Sequence, residues 1–369
     1  MKHTVSDLLD VLEEIAPLSL QESYDNSGLI IGDKNDIISN VLLSLDCTLE
    51  TIKEAIKKNC NIILSHHPLI FGGLKSITTQ NTEVEKAVIL AIKNNINIIA
   101  CHTNLDNVYE HGVSTSMLEI MGLKDIEILV PKSGHLCKLK TYIPLESFEM
   151  VQNALFDAGA GRIGNYSECG FSSLGEGTFN PSEYANPVLG DKHCRNTLKE
   201  KELAVLVPNY LINTIVHTLK KVHPYEEIAY DVFPLLNKHQ RIGSGAIGIL
   251  NEAITQEEFL LLVKKSFECK TFRYSKNKEN KIKKIAFCGG SGSFLIEDAM
   301  NKGADAYITS DIKYHDFFEA SHKLTLCDIG HYESEIHTLK IFSNVLTKKF
   351  TTFATLFTDI NTNPVAHYA

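Results

Sequence analysis

The hydrophobic positions of the chain alternate between short continuous apolar runs and stretches with a helical period. Residues 41–45 and 61–64 form apolar runs, and the segments from Thr48 and over residues 82–94 repeat apolar residues every three or four positions. Short continuous runs are typical of strands that are buried on both faces, and the helical period is typical of helices that pack on a sheet. The pattern therefore predicts an α/β fold with a helix-covered, largely parallel mixed sheet.

Four more apolar runs extend this sheet, at residues 96–101, 285–288, 306–309 and 324–327. They lie in two groups, before Pro131 and after Arg241. We interpret the two groups as one discontinuous main domain whose strands share a sheet.

Between the two groups the pattern changes. Two segments each run from a strand into a proline, Pro144 or Pro208, then into an amphipathic helix and a further strand. Proline is favoured at the first position of a helix, so we place both helix starts there. Two such units in tandem predict an inserted ferredoxin-like α+β domain. The predicted organisation is residues 1–130 for the first half of the metal-binding main domain, 131–235 for the insert and 236–369 for the second half.

Composition narrows the function classes. The 369 residues carry a formal net charge of -9, which argues against generic binding to nucleic acid or to an anionic membrane. No apolar run reaches the roughly 18 residues of a membrane span. The first twenty residues are an acidic amphipathic stretch, unlike a secretion signal. Nine scattered cysteines without a C-x-x-C pair are typical of a reduced, cytoplasmic protein.

Candidate chemistry gathers just after the predicted strands. Five residues have this position: His66, His67, Asp106, His331 and Glu335. His331 and Glu335 are four apart on a predicted helix, so they share one face. Three imidazoles and two carboxylates suit zinc, iron, manganese, cobalt or nickel. Five protein ligands exceed the three or so of one catalytic zinc, and two ions that share a bridging carboxylate fit the number better.

Each of these residues also has a structural alternative. A single histidine is commonly hydrogen-bonded within a core, Glu335 alone is a solvated helix residue, and Asp46 or Asp106 alone would suit a helix cap. The segment 289–292, Gly-Gly-Ser-Gly, suits either an anion held at a helix start or a tight turn. Residues 223–227, His-Pro-Tyr-Glu-Glu, are read as a loop that enters a strand.

Six motifs in order along the chain resemble the Nif-three-like family, whose members are often named GTP cyclohydrolase 1 type 2. They are Tyr-Asp-Asn-Ser-Gly-Leu at 24–29, Ser-His-His-Pro at 65–68, His-Thr-Asn-Leu-Asp at 102–106, Cys-Gly-Gly-Ser-Gly at 288–292, Ser-Asp-Ile-Lys-Tyr-His-Asp at 310–316 and Asp-Ile-Gly-His-Tyr-Glu-Ser-Glu at 328–335. Tyr24, Ser310 and Ala246 depart from the residues usual in that family, which are Trp, Gly and Arg.

The resemblance implies that His66, His67, Asp106, His331 and Glu335 hold two divalent metal ions per subunit, with zinc, iron or manganese as the expected metals. It also implies a toroidal homohexamer whose metal centres face an inner cavity. The inserted domain resembles PII and CutA proteins.

Two functions follow as hypotheses. The first is a metal-dependent hydrolase in which metal-bound hydroxide attacks a small substrate, a purine nucleotide if the family's name applies. Glu333, His315 and Asp311 are the candidates for proton transfer or substrate contact. The alternative is a non-catalytic metal-binding regulatory or interaction protein whose insert senses a ligand.

Overall fold

The computed structural model describes residues 2–80, 82–276, 281–320 and 323–366. The chain divides into two compact units. The main unit comprises Met1–Pro131 and Arg241–Ala369, and the inserted unit comprises Lys132–Gln240. The main unit resumes at Arg241 rather than at the predicted residue 236, because the long strand that re-enters it starts only at His239.

The first sheet of the main unit has five strands in the order β1-β4-β3-β2-β15. Their bounds are β1 Gly28–Ile31, β2 Asn40–Ser44, β3 Ile62–Ser65, β4 Asn97–Ala100 and β15 Ala354–Phe357. Strands β15, β2, β3 and β4 are parallel, and β1 is antiparallel to β4. Every residue of β3 and β4 is buried, as the continuous apolar runs predict.

The second sheet of the main unit has six strands in the order β11-β14-β13-β12-β10-β5. Their bounds are β5 Lys124–Lys132, β10 His239–Ile254, β11 Arg273–Tyr274, β12 Ile282–Ser291, β13 Ala306–Ser310 and β14 Thr325–Asp328. Strands β12, β13 and β14 are parallel, whereas β10 and β11 pair antiparallel at either side of them.

The prediction of one shared sheet was wrong. Apolar runs indicate that strands are buried and parallel, but strand order depends on pairing partners that the runs do not encode. The mixed α/β character holds, with helices and several sheets.

The described helices of the main unit cover these sheets and connect their strands. They are α1 Val5–Ile15, α2 Leu49–Lys57, α3 Glu83–Lys93, α4 Thr103–Asp106, α5 Val113–Ile120, α8 Gln256–Ser266, α9 Ile296–Asn301, α10 Asp316–Glu319, α11 His331–Glu335 and α12 Thr338–Lys349. Helices α2 and α3 pack on the first sheet through Ile52 and Val88. Phe259 of α8 and Ile296 of α9 lie in two separate cores of the second sheet.

The inserted unit is built around a four-stranded antiparallel sheet in the order β7-β8-β6-β9. Its elements are β6 Leu136–Pro144, α6 Phe148–Asp157, β7 Gly170–Phe179, β8 Asn196–Pro208, α7 Ile212–Val222 and β9 Tyr230–Pro234. Apolar residues of both helices pack on one face of this sheet, Val151 and Ile215 among them.

The two prolines of the inserted unit do not begin its helices. Pro144 and Pro208 end strands in extended conformations and are followed by single turns of 3-10 helix, so α6 and α7 begin four residues after the prolines. Proline fixes φ near -65°, which suits the end of a strand as well as the start of a helix. The position of proline alone therefore did not locate the helix starts.

No helix among the residues described here has the length and apolar character needed to cross a bilayer.

The end of the chain is fastened to α2 by one carboxylate. Glu54 accepts hydrogen bonds from the Thr358 hydroxyl and, at 2.8 Å, from the Asp359 amide. Lys58 lies 2.7 Å from Glu54 and 2.8 Å from Asp359. The pKa of Glu54 is lowered, since these partners outweigh the opposing effect of burial. The segment that follows β15 is thereby held beside the first sheet.

We expect the Glu54→Gln variant to lose about 1–2 kcal/mol of unfolding free energy at neutral pH, because a charged acceptor of several hydrogen bonds is replaced. The folded pKa lies below the unfolded value, so the contribution is present above about pH 4.5 and disappears as the pH falls through the folded pKa. Urea unfolding of both proteins across this pH range measures the difference.

Glu50→Gln is the matched control, since Glu50 lies on the same helix in an exposed pair with Lys53. Equal losses for the two variants would show that Glu54 has no special role.

Candidate metal centre

The histidines that follow β3 both turn toward the same carboxylate. The strand ends at Ser65, whose hydroxyl donates to the His67 carbonyl at 2.7 Å and closes a sharp turn. Beyond this turn the two side chains no longer alternate. His66 Nε2 lies 3.8 Å from Glu335 Oε1, and His67 Nε2 lies 2.9 Å from Glu335 Oε2.

Glu335 is the common neighbour of two groups of ligand atoms. Its Oε2 faces His67 and also His331 Nε2, at 3.1 Å, across one turn of α11. Its Oε1 faces His66, whose Nε2 lies 3.7 Å from Asp106 Oδ1. Within each group, His67–His331–Glu335 and His66–Asp106–Glu335, the ligand atoms lie within 4.8 Å of one another. All five residues predicted as ligands therefore meet in one place.

These five residues come from both sheets of the main unit rather than from the edge of a single sheet. His66 and His67 follow β3, and Asp106 lies on α4 after β4. His331 and Glu335 lie on α11 after β14 of the second sheet. The carboxyl ends of parallel strands in two sheets thus face a shared centre, consistent with the general position of ligands in α/β folds.

The glycines at 289–290 make room for Glu335. Gly289 and Gly290 belong to β12, which is followed by a 3-10 turn at Ser293–Leu295 and then by α9 from Ile296. Gly290 has φ +61°, and a Cβ there would lie 2.3 Å from Glu335 Oε1. Its amide donates to the Ser334 hydroxyl at 2.9 Å. The glycines at 289 and 290 therefore admit the carboxylate, and Gly292 lies at the start of the 3-10 turn that follows the strand.

Two buried polar atoms of the site have no hydrogen-bonding partner among the described residues, His66 Nε2 and Asp106 Oδ1. Leaving such atoms unsatisfied costs about 1–3 kcal/mol each, so a native structure needs a reason for them. Two ligands of one ion, each about 2.0–2.2 Å from it, lie roughly 3–3.7 Å apart. The separation of 3.7 Å between these two atoms is too long for a hydrogen bond and close to this range. The residues present therefore fit a metal ion.

The other ring nitrogens of the histidines are already engaged. His66 donates its Nδ1–H to the Cys101 carbonyl at 2.9 Å. His67 donates its Nδ1–H to Asp46 at 2.7 Å, and His331 donates its Nδ1–H to Asp311 at 2.6 Å. Each bond directs Nε2 toward the centre. Histidines that bind metals characteristically donate their second nitrogen to a carboxylate or carbonyl in this way.

Sequence reasoning missed one imidazole. His102 follows β4, its Nδ1–H donates to Asp25 Oδ1 at 2.8 Å, and it groups with His66 and His67 within 4.8 Å. Its place just after a strand is the same signal that identified the other candidates.

Asp46 also has a role that the sequence did not reveal. Thr48, not Asp46, caps α2. Asp46 instead accepts hydrogen bonds from His67 and from the Thr362 hydroxyl at 2.5 Å. The alternative that Asp46 is a helix cap was therefore wrong.

The site is strongly coupled electrostatically. Burial lowers the pKa of His67, but Asp46 and Glu335 outweigh it and raise that pKa to about 10. The hydrogen bond with Glu335 is the main cause that raises the pKa of His331 to about 9. Burial opposes ionisation of Glu335, yet the three imidazoles hold its pKa well below the usual range. The imidazoles and the buried carboxylate thus stabilise one another's charged forms.

A cavity of about 1190 Å³ opens onto this centre. Exposed aromatic side chains line it, namely Tyr24, Phe71 and Phe294. The end of the chain contributes residues 362–365 to the wall. The volume exceeds the range of about 300–1,000 Å³ that is usual for small-molecule sites, so a nucleotide-sized ligand would fit.

The three candidates for proton transfer or substrate contact have different positions. Glu333 lines the cavity and accepts a hydrogen bond from the side-chain amide of Asn363 at 3.0 Å. Asp311 also lines it, but its carboxylate holds His331 in place. His315 is exposed, packs against Tyr314 and Phe318, and is not part of the lining. Within one chain the structure therefore does not bring His315 to the centre.

We expect His66→Ala to lose bound metal, because it removes a buried ligand atom that faces Asp106 and Glu335. Metal content after purification, measured by inductively coupled plasma mass spectrometry, tests this. His315→Ala is the matched control and should keep its metal, since His315 is exposed. If His66→Ala does not fold, Glu335→Gln replaces it as the test of metal loss, because it preserves side-chain volume. Unchanged metal in a folded His66→Ala protein would contradict the ligand assignment.

Asp311→Asn should weaken metal affinity by about 10–100-fold, because a neutral amide oxygen holds and polarises His331 more weakly than a carboxylate does. Asp311 has φ +56°, a conformation that asparagine tolerates. Competition with a chromophoric chelator measures the affinity. Asp316→Asn is the control, since among the described residues the Asp316 carboxylate accepts a single, local hydrogen bond, from the Lys313 backbone. Equal affinities for the wild type and Asp311→Asn would rule out the orienting role.

Comparison with known proteins identifies the family of this chain. The family model Duf34/NIF3 (NGG1p interacting factor 3) matches residues 3–364. A protein of Halalkalibacterium halodurans named GTP cyclohydrolase 1 type 2 homolog is 40% identical over 331 residues, 89% of this chain and 88% of that relative. A Bacillus subtilis protein of the same name is 36% identical over 349 residues and 93% of each chain.

Among solved structures, a Bacillus cereus protein related to NIF3 superposes with a TM-score of 0.87 at 35% identity, with 100% of each chain covered. A Staphylococcus aureus protein, SA1388, superposes with a TM-score of 0.77 at 31% identity, over 100% of this chain and 99% of that one. The full-length family match and the relatives at 36–40% identity lead to one conclusion: this chain belongs to the Duf34/NIF3 family.

Proposed function

We propose that the protein is a dinuclear metal-dependent hydrolase that acts on a small substrate. The observation that carries this proposal is the arrangement around Glu335, whose two oxygens face two separate groups of ligand atoms. One group is His67 and His331, and the other is His66 and Asp106. A carboxylate with this arrangement is suited to bridge two divalent ions, with zinc, iron or manganese as the expected metals.

The residues of the chain would hold and orient the reacting groups. Ions bound here would supply Lewis acidity and a water whose pKa is lowered toward about 7. Asp46, Asp311 and the Cys101 carbonyl fix the imidazole rings, so the ligand geometry exists before any substrate arrives. His102 lies beside His66 and His67 with its Nδ1–H on Asp25, and therefore has its Nε2 available for a ligand or a proton.

Glu333 is our proposed group for proton transfer or substrate contact. Its carboxylate lines the cavity next to His331 on α11, and its one described hydrogen bond comes from Asn363. Asp311 is engaged with His331, so we assign it to positioning. His315 would reach a substrate only from outside the cavity of its own chain.

The substrate class follows from the cavity and from the relatives. Two relatives carry the name GTP cyclohydrolase 1 type 2 homolog, and the aromatic side chains Tyr24, Phe71 and Phe294 suit the planar base of a purine nucleotide. A purine nucleotide is therefore our first candidate substrate. Hydrolysis would open or remove part of such a ligand with water as the co-reactant.

The family resemblance supports further proposals for the assembly. We propose a toroidal homohexamer with the centres facing an inner cavity, and a cytoplasmic location. The element order β6-α6-β7-β8-α7-β9 supports a ferredoxin-like, PII- or CutA-like assignment for the inserted unit.

The proposal predicts metal-dependent turnover. Protein stripped by a chelator should not hydrolyse GTP or a panel of related nucleotides, and activity should return when zinc, iron or manganese is restored. Glu335→Gln should lower kcat/KM by at least about 100-fold, because both ion positions depend on it. Product formation followed by liquid chromatography is the measurement, with His315→Ala as the control.

Identical rates for wild type and Glu335→Gln on every nucleotide tested would overturn the hydrolase proposal. In that case, metal content that still depends on Glu335 would favour the alternative, a non-catalytic metal-binding regulatory or interaction protein.

A further inference from the structure

A second cavity lies within the inserted unit and shares no lining residue with the first. Its volume is about 560 Å³, within the range usual for small-molecule sites. Tyr142, Glu200 and Glu202 line it, and along their strands these residues alternate with the core residues Ile143 and Leu203. The cavity therefore lies on the face of the sheet that α6 and α7 do not cover.

Glu200 is a largely buried residue of this cavity, and one of its two carboxylate oxygens makes no hydrogen bond to the described residues. Glu200 is only 8% exposed. Its Oε1 accepts the Tyr225 hydroxyl at 2.7 Å. In the described part of the chain, Oε2 has no hydrogen-bonding or ionic partner. Because Glu200 lines the cavity, a ligand with a donor group could reach this oxygen.

The sheet is shaped around this free oxygen. A Cβ added to Gly177 of β7 would lie 2.0 Å from Glu200 Oε2, so any larger residue would displace the carboxylate. Gly175, two residues earlier on the same face of β7, has open space at the same position. The glycine at 177 therefore permits the present position of the carboxylate.

The turn at 223–227 holds the other side of the carboxylate in place. His223 Nε2–H donates to the Tyr142 carbonyl at 3.0 Å, and its Nδ1 accepts the Tyr225 amide at 3.2 Å. A ring that donates a hydrogen bond from one nitrogen and accepts one at the other is a neutral imidazole. Burial lowers the pKa of His223, in agreement with that state. The motif that sequence reasoning took for a simple loop thus anchors the tyrosine that orients Glu200.

The lining combines apolar walls with acidic groups. Phe179, Pro181 and Pro187 supply apolar surface, and the Asn186 amide donates to Glu226 at 2.7 Å, which fastens this segment to the turn. Arginine and lysine are absent from the described lining. Lys140 pairs with Glu202 at 2.9 Å, and no described lysine or arginine forms an ion pair with Glu200.

We propose that this cavity is a binding site for a small organic cation, a primary amine or an amidine or guanidinium group on an apolar body. The cationic head would donate to Glu200 Oε2, and the body would lie against Phe179 and the prolines. A charge-assisted hydrogen bond in a desolvated pocket is stronger than a neutral one. A bare metal ion fits less well, because the described metal-like groups, with ligand atoms within 4.8 Å, include no residue of this cavity.

The test uses the full-length, metal-loaded protein and two probes of similar size, benzamidine as the cation and benzyl alcohol as the neutral compound. Saturation-transfer NMR and calorimetry measure binding. We expect benzamidine to bind wild type and benzyl alcohol to bind at least about tenfold more weakly. Glu200→Gln should weaken benzamidine binding by about tenfold or more, since it removes the charge.

Gly177→Ala is the second variant, because it keeps the charge and moves the carboxylate. It should also lose benzamidine binding, whereas Gly175→Ala, the matched control, should keep it. If Glu200→Gln does not fold, Gly177→Ala still tests the role of Glu200, because it moves the carboxylate. The comparison of the two probes on the wild-type protein needs neither variant.

Three results would overturn the proposal. The first is absent binding or equal affinity for both probes on wild type. The second is equal binding by Gly177→Ala and Gly175→Ala. The third is displacement of benzamidine by excess calcium chloride, which would indicate a site for inorganic cations.

Discussion

The main unit depends on one constraint, the burial of the Glu335 carboxylate. This residue is 2% exposed, and an ionised carboxylate without partners at such a position would be prohibitively unstable. His66, His67 and His331 surround the carboxylate and keep its pKa low, and Gly290 supplies the space. The imidazoles are in turn held by Asp46, Asp311 and a backbone carbonyl. Loss of the groups that hold the imidazoles would misplace the imidazoles, and loss of the imidazoles would leave the carboxylate without partners. The centre therefore behaves as a unit.

The parts of the site that the sequence predicts are those with a local signal. A strand that stops at a polar residue marks a sheet edge, and this signal identified His66, His67 and Asp106. The four-residue spacing of His331 and Glu335 predicts a shared helix face, and their side chains lie 3.1 Å apart. Local patterns also predicted the positions of β2, β3, β4 and β13 to within about two residues.

The parts that the sequence did not predict depend on long-range contacts. Two sheets replace the expected one, because pairing partners are set by the folded core and not by any single apolar run. Asp46 was attributed to a helix end, but Thr48 forms a better cap and leaves Asp46 free for His67. His315 lies in a motif with Asp311, yet it stands four residues later, directly before α10, and is exposed. Motif membership thus does not establish that a side chain reaches the centre.

The pairing of β15 with β2 has a consequence for how the protein is made. Asn40 and Ala354 are hydrogen-bonded neighbours although 314 positions separate them along the chain. During synthesis, β2 remains an open sheet edge until the residues of β15 have left the ribosome. Contacts of such sequence separation form slowly, and open edges attract other strands. Aggregation therefore competes with folding in newly made chains whose β15 has not yet paired with β2. These are the chains that a chaperone would protect.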